Sequence, residues 1–156
     1  MNDRKIIGID FGTTTTLVSS CQGTTKILNI AHNGQILETV MKLSNPIDTV
    51  DIATDSFENV VESYGDEAWK LRKGCKDRTY FNFKPQIGED ENTNKLAELW
   101  LKIIFNKITQ RLNGADLSEY NFVIGVPAKW DDERIRRYQN IATKVGLRML
   151  ILSRSR

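Results

Sequence analysis

One histidine and two cysteines in 156 residues leave little material for the common catalytic and metal-binding chemistries. A serine–histidine–acid triad needs an imidazole in the site. The one available, His32, sits in "AHNGQ" beside a turn, where a solvated surface imidazole is the simpler reading. Zinc centres draw on clustered Cys and His, and Cys21 and Cys75 form neither a metal-ligand spacing nor a disulfide framework. Reduced thiols in a cytoplasmic protein are expected instead. Charge of one sign is also missing: 22 basic residues against 20 acidic leave a formal +2, which gives no reason to expect a nucleic-acid partner or an anionic membrane. Long apolar runs are absent too. The run near the start carries Asp10 and is too short for a secretory signal, and "LAELWLKIIF" is interrupted by Glu98 and Lys102, so no membrane-spanning helix is expected.

What remains is an ordinary globular composition, 40% apolar and 27% charged, in a chain that fits one domain. "RKIIGIDF" and "TTLVSSC" read as strands joined by a hairpin turn at Gly12 and the threonines. "TKILNIA" and "QILETVMKL" read as two more strands, separated by Asn33-Gly34, a strong hairpin pair. From Pro46 to Asn94 no period survives, and "GEDENTN" reads as an acidic loop. Leu96, Leu99, Trp100, Ile103, Ile104, Ile108 and Leu112 recur at helical spacing, which predicts a helix over Lys95–Leu112 ended by Gly114. "NFVIGV" has the continuous apolar character of a strand buried on both faces. Asp131 or Asp132 can cap a helix whose inner face is Ile135, Tyr138, Ile141, Ala142 and Val145, with Gly146 at its end; "LRMLIL" follows as a strand. Antiparallel strands first, then a right-handed parallel crossover, predict a mixed α/β sheet with flanking helices.

The opening stretch "IIGIDFGTTTT" (Ile6–Thr16) has the design of a phosphate grip. A tight turn aims successive N–H groups into one concavity. Gly12 allows close backbone approach, and Thr13, Thr14 and Thr15 add hydroxyls. Asp10 repels phosphate unless a cation lies between, and Mg²⁺ is the hard ion that a carboxylate, waters and phosphate oxygens share. The stretch is neither a Walker A loop nor a Rossmann fingerprint. Without a ligand it is a threonine-rich hairpin.

Ile9-Asp10-Phe11-Gly12-Thr13-Thr14 resembles the first phosphate motif of the actin-like ATPase superfamily, which includes heat shock protein 70 chaperones, actin-like filaments and sugar kinases. Three further stretches, in matching order, resemble heat shock protein 70: "YGDEAWKL" (64–71), "NFKPQIG" (82–88) and "FVIGVPAKWDDERIR" (122–136). The resemblance runs from about Lys5 to Leu152 and implies a ribonuclease H-like lobe. It implies ATP or ADP with Mg²⁺ as cofactors: Asp10 holding Mg²⁺ through water, Gly12 and Thr13–Thr15 holding the phosphates, and Lys84 reaching the γ-phosphate as the catalytic residue. Pro127 matches the family's interdomain switch proline. The family's arginine in the following helix falls on Ile135, flanked by Arg134 and Arg136, and its early Thr-Pro-Ser segment is replaced by "ETVMKL", so the resemblance implies a divergent member.

The second phosphate loop, the adenosine-binding glycines and the polypeptide-binding domain have no counterpart in residues 1–156, so the chain is expected to be the first lobe of a longer ATPase. The implied partners are the remainder of that ATPase domain, client polypeptides and J-domain co-chaperones. Half a cleft cannot surround the phosphates, so little ATP turnover is expected from these residues alone. The open cleft wall is expected to be sticky. Two alternatives stand beside this reading. One is a non-catalytic actin-like filament or interaction protein. The other is a sugar or metabolite kinase, which needs a carboxylate base that the sequence does not display beyond Asp10.

Overall fold

The computed structural model describes residues 5–155. Strands β1 (Lys5–Phe11), β2 (Thr15–Gln22) and β3 (Thr24–Ile27) run antiparallel in succession, and the two-residue β4 (Leu37–Glu38) pairs with the start of β2. A three-stranded antiparallel sheet follows from β5 (Val40–Leu43), β6 (Val61–Tyr64) and β7 (Thr79–Phe81), with β5 central. Two short helices, α1 (Phe57–Val60) and α2 (Asp66–Leu71), lie between its strands in sequence. The long helix α3 (Glu91–Arg111) leads to β8 (Tyr120–Pro127), then α4 (Asp132–Val145), then β9 (Met149–Ser155). The main sheet has the order β3-β2-β1-β8-β9, with β1, β8 and β9 mutually parallel neighbours. The chain is therefore α/β, with a mixed sheet and flanking helices.

The core forms on one face of this sheet. Ile7, Ile9 and Phe11 of β1, Thr16 and Val18 of β2, and Phe122, Ile124 and Val126 of β8 are all buried there. Trp100 of α3 donates to Thr16, and Tyr138 of α4 meets the Phe11 ring at 6.2 Å. These contacts place both long helices over the same face.

Five sequence expectations are corrected. The strand in "NFVIGV" is not buried on both faces: its residues alternate, with Asn121 exposed and Val123 and Gly125 half-buried. Its apolar run is continuous because the outward positions are also apolar, not because a second layer covers them. "QILETVMKL" is two strands in two sheets. Thr39 breaks it by sending its N–H to Thr14 O and its hydroxyl inward. "TKILNIA" pairs only as far as Ile27, and Asn33-Gly34 closes no more than an isolated bridge between Ala31 and Gly34, because β3 and β4 both pair with β2 rather than with each other. Helix α3 starts at Glu91, not Lys95: Asp90 caps it, accepting from Thr93 N–H at 2.7 Å and from its hydroxyl at 2.8 Å, which turns half of the "acidic loop" into a first turn. It ends at Arg111, three residues before the predicted glycine. Asn113 takes the left-handed conformation (φ 54), and Gly114 N–H returns to Thr109 O. The α4 caps fall on Asp131 and Gly146.

Candidate functional site

Parallel strands present ligands at their carboxyl ends. Because β1 and β8 are parallel and in register from Lys5↔Tyr120 to Ile9↔Ile124, Asp10–Gly12 and Pro127 leave the sheet along the same edge. Asp10 itself is exposed, on the face opposite the core.

The turn after Asp10 is set by short contacts. Gly12 N–H donates to Thr15 O at 2.9 Å, and the Thr39 hydroxyl donates to Gly12 O at 3.1 Å. Behind it runs a buried chain of donors: Trp100 Nε1–H to the Thr16 hydroxyl (3.0 Å), and Thr16 to Thr39 (2.8 Å). This chain links the core helix to the turn. It escapes sequence reading because a tryptophan in an apolar helical stripe signals packing alone. The hydroxyls of Thr13, Thr14 and Thr15 are exposed and make no hydrogen bond with any described residue. The turn therefore offers unspent donors while its backbone is held from behind.

Thr39→Val keeps the shape but removes the donor to Gly12 O and the acceptor for Thr16, so it is expected to cost about 1–3 kcal/mol. A lower urea midpoint with unchanged slope is the result that checks this.

Lys84 comes to the site from a separate segment. Phe83 packs on Phe11, with ring centroids 6.1 Å apart, and Lys84–Gln86 form a single 3₁₀ turn. The Lys84 side chain is buried, with Nζ 5.5 Å from the centre of the Phe11 ring. No described carboxylate pairs with it and it makes no hydrogen bond to a described residue. Burial pushes its ammonium below the ordinary value, and attraction to Asp10 opposes that shift.

An arginine-built contact fixes this segment. Arg134, in the first turn of α4, donates to the carbonyls of Pro85 and Ile87, lies 3.3 Å from Glu89 and covers the Trp130 ring. Arg137 donates to Gly88 O at 2.8 Å. Gly88 has a φ of +88, and a Cβ there would fall 2.7 Å from Arg134 Cγ, so the approach needs glycine. The backbone N–H of Trp130 in turn donates to Pro127 O at 3.1 Å. Arg134 thus bridges the Lys84 segment to the turn that follows Pro127. Sequence reading saw this residue only as a neighbour of Ile135.

The arrangement brings Asp10, Gly12, Thr13–Thr15 and Lys84 to one end of β1, with Pro127 on the same sheet edge. A single carboxylate beside hydroxyls matches Mg²⁺ shared with waters and phosphates, whereas a zinc or calcium cage needs several protein ligands. Among the described residues no group of three or more His, Cys, Asp or Glu could hold a metal ion. Both cysteines are free thiols, and His32 is exposed. No helix of the described residues is long and apolar enough to cross a membrane. No known family model matches the chain, and no curated protein matches it.

Proposed function

We propose that the chain is the first nucleotide-binding lobe of an actin-like ATPase of the heat shock protein 70 type, with a ribonuclease H-like sheet, cytoplasmic in location. The observation that carries this reading is Lys84: a buried side chain whose partly desolvated ammonium has no paired carboxylate and feels the charge of Asp10, at the end of β1 beside a turn of free hydroxyls. A charge drawn partly out of water without a partner is costly, and a bound anion is what would relieve it. Three antiparallel strands followed by two parallel crossovers also agree with such a lobe.

In this reading Thr13–Thr15 and the turn amides hold the phosphates. Asp10 orients a water-shelled Mg²⁺, and Lys84 offsets charge at the terminal phosphoryl group. Mg²⁺, when bound, neutralises phosphate charge and orients the group to be transferred. Arg134 keeps Lys84 at a fixed height over Phe11 and ties that height to the Pro127 turn. In the complete protein the cycle of ATP binding and hydrolysis would be coupled to polypeptide binding, with J-domain co-chaperones as partners and the second lobe closing the cleft.

The test is phosphorus NMR of ATP with the 156-residue chain. Protein-dependent broadening is expected with Mg²⁺, and chelating the Mg²⁺ should weaken binding roughly tenfold or more. Equal broadening with and without Mg²⁺, or none at millimolar protein, would overturn the reading.

A further inference from the structure

The three-stranded sheet carries a polar cluster of its own. Lys42 lies on its central strand, directly opposite Ser63 of β6 and Thr79 of β7. Residues directly opposite in antiparallel strands carry their side chains on one face. Ser63 and Thr79 are 7% and 6% exposed, and neither hydroxyl has a hydrogen-bond partner among the described residues. Buried polar groups ordinarily find partners, so two orphaned hydroxyls flanking one lysine are an unfinished polar site.

A thiol is brought to this lysine by the next turn. Arg78 N–H donates to Cys75 O at 3.2 Å, and the turn is seated on β5 by Leu43 N–H donating to Arg78 O at 2.8 Å. The Arg78 guanidinium donates to Ser44 O at 3.0 Å and to Cys75 Sγ at 3.7 Å. Lys42 Nζ lies 2.8 Å from Glu62 Oε2. That bond, and after it attraction to Cys75, hold the Lys42 ammonium above its ordinary value. Cys75 is therefore a half-buried free thiol beside two cations, with Glu62 offsetting one of them. Lys42, Arg78 and Glu62 leave one positive charge, which a negative sulfur balances. The other thiol, Cys21, is also half-buried, but stands opposite the uncharged Ile6 and Thr25.

We propose that Cys75 is a peroxide-reactive thiol, with Lys42 and Arg78 stabilising its thiolate and the Ser63 and Thr79 hydroxyls receiving the oxygen it gains. The thiolate is the nucleophilic form of cysteine, and partly exposed, electropositive surroundings favour it. Its sulfur attacks one oxygen of hydrogen peroxide. An S–O bond forms and the O–O bond breaks. Sulfur gives up two electrons and becomes a sulfenic acid, and the other oxygen leaves as hydroxide, which solvent protonates. The new oxygen is the partner that the two hydroxyls lack. The proposal does not depend on nucleotide binding, and its test is run without nucleotide.

The 156-residue chain is treated with hydrogen peroxide in the presence of dimedone, which caps sulfenic acids, and the label is located by peptide mass spectrometry. Cys75 is expected to be labelled roughly tenfold or more faster than Cys21, which serves as the internal reference. Lys42→Met should slow Cys75 about fivefold, and Glu62→Gln should speed it about twofold by removing the opposing charge. Glu62 is exposed, so the second variant retains the fold even if the first loosens β5. In Thr79→Val, with dimedone added only after the peroxide is destroyed, about threefold less sulfenic acid should survive. Equal labelling of the two cysteines would overturn the proposal. So would a Cys75 rate that is the same in both charge variants as in the unaltered chain. Unchanged survival in Thr79→Val would remove the hydroxyls from the site.

Discussion

Lys84→Met is expected to make the chain more stable and, in the same variant, to remove the affinity for Mg²⁺-bound triphosphate that the proposed function gives it. The two effects share one cause. Without a ligand, the folded state holds a partly desolvated ammonium with only the Phe11 ring and the field of Asp10 to offset its lost hydration. Methionine fills a similar volume with no charge to bury, so a gain of about 1–2 kcal/mol is expected by chemical denaturation. For the triphosphate the balance reverses. Removing one side of a desolvated charge contact should weaken binding roughly thirtyfold or more. A loss of stability with binding intact would mark Lys84 as a packing residue and end the catalytic assignment.

The stability gain should also depend on pH. Above 10.5, the ordinary value, the amine is neutral in both states and burial adds no penalty. As pH falls below 10.5 the unfolded chain takes up the proton first, because the folded-state value lies lower. The folded state loses ground until pH passes that lowered value, below which the penalty is constant. Wild-type stability therefore gains relative to the methionine variant as pH rises through the window below 10.5, and the two curves converge at its top. Lys5 and Lys42 are raised by Glu119 and Glu62 and act in the opposite sense, but both are present in both proteins and cancel in the difference.

Much of this fold was legible from local chemistry. The Asp10–Gly12–threonine hairpin, the α3 stripe and the β8–α4–β9 crossover rest on periodicity, caps and turn residues, all of which act between near neighbours in sequence. The errors fell where a distant partner decided the outcome. Nothing near Thr39 announces that its hydroxyl serves Gly12, 27 positions away, and so "QILETVMKL" looked like one strand. The apolar run of β8 could not reveal that only one face is covered, since that depends on which layers are present. The candidate site divides in the same way. Gly12 and the threonines belong to one turn and could be read together. The placing of Lys84 against Phe11, and its bracing by Arg134, 50 positions downstream, depends on α4 folding back over the Lys84 segment.

Gly12→Ala is the second large effect, and it separates turn geometry from composition. The φ of Gly12 is not in the left-handed region, so the cost is not backbone strain. It is collision: a Cβ at this position would lie 2.5 Å from Thr15 O, the acceptor of Gly12's own N–H. Backbone oxygen cannot step aside as a side chain can, so the turn must open and that hydrogen bond must lengthen. The Thr39 hydroxyl then loses its aim at Gly12 O, and the strain reaches Thr16 and Trp100 through the buried donor chain. A loss of about 2–4 kcal/mol is expected by urea denaturation. Triphosphate binding should vanish too, because the Thr13–Thr15 hydroxyls splay apart as the turn opens. Gly34→Ala is the control. It too sits in a turn, its Cβ would meet nothing within 4 Å, and its φ is ordinary. That substitution is expected to be neutral or to stabilise by about 0.5 kcal/mol, through the stiffer unfolded chain alone. Equal behaviour of the two variants would mean that the close approach at Gly12 is not what shapes the turn, and the phosphate grip would lose its structural basis.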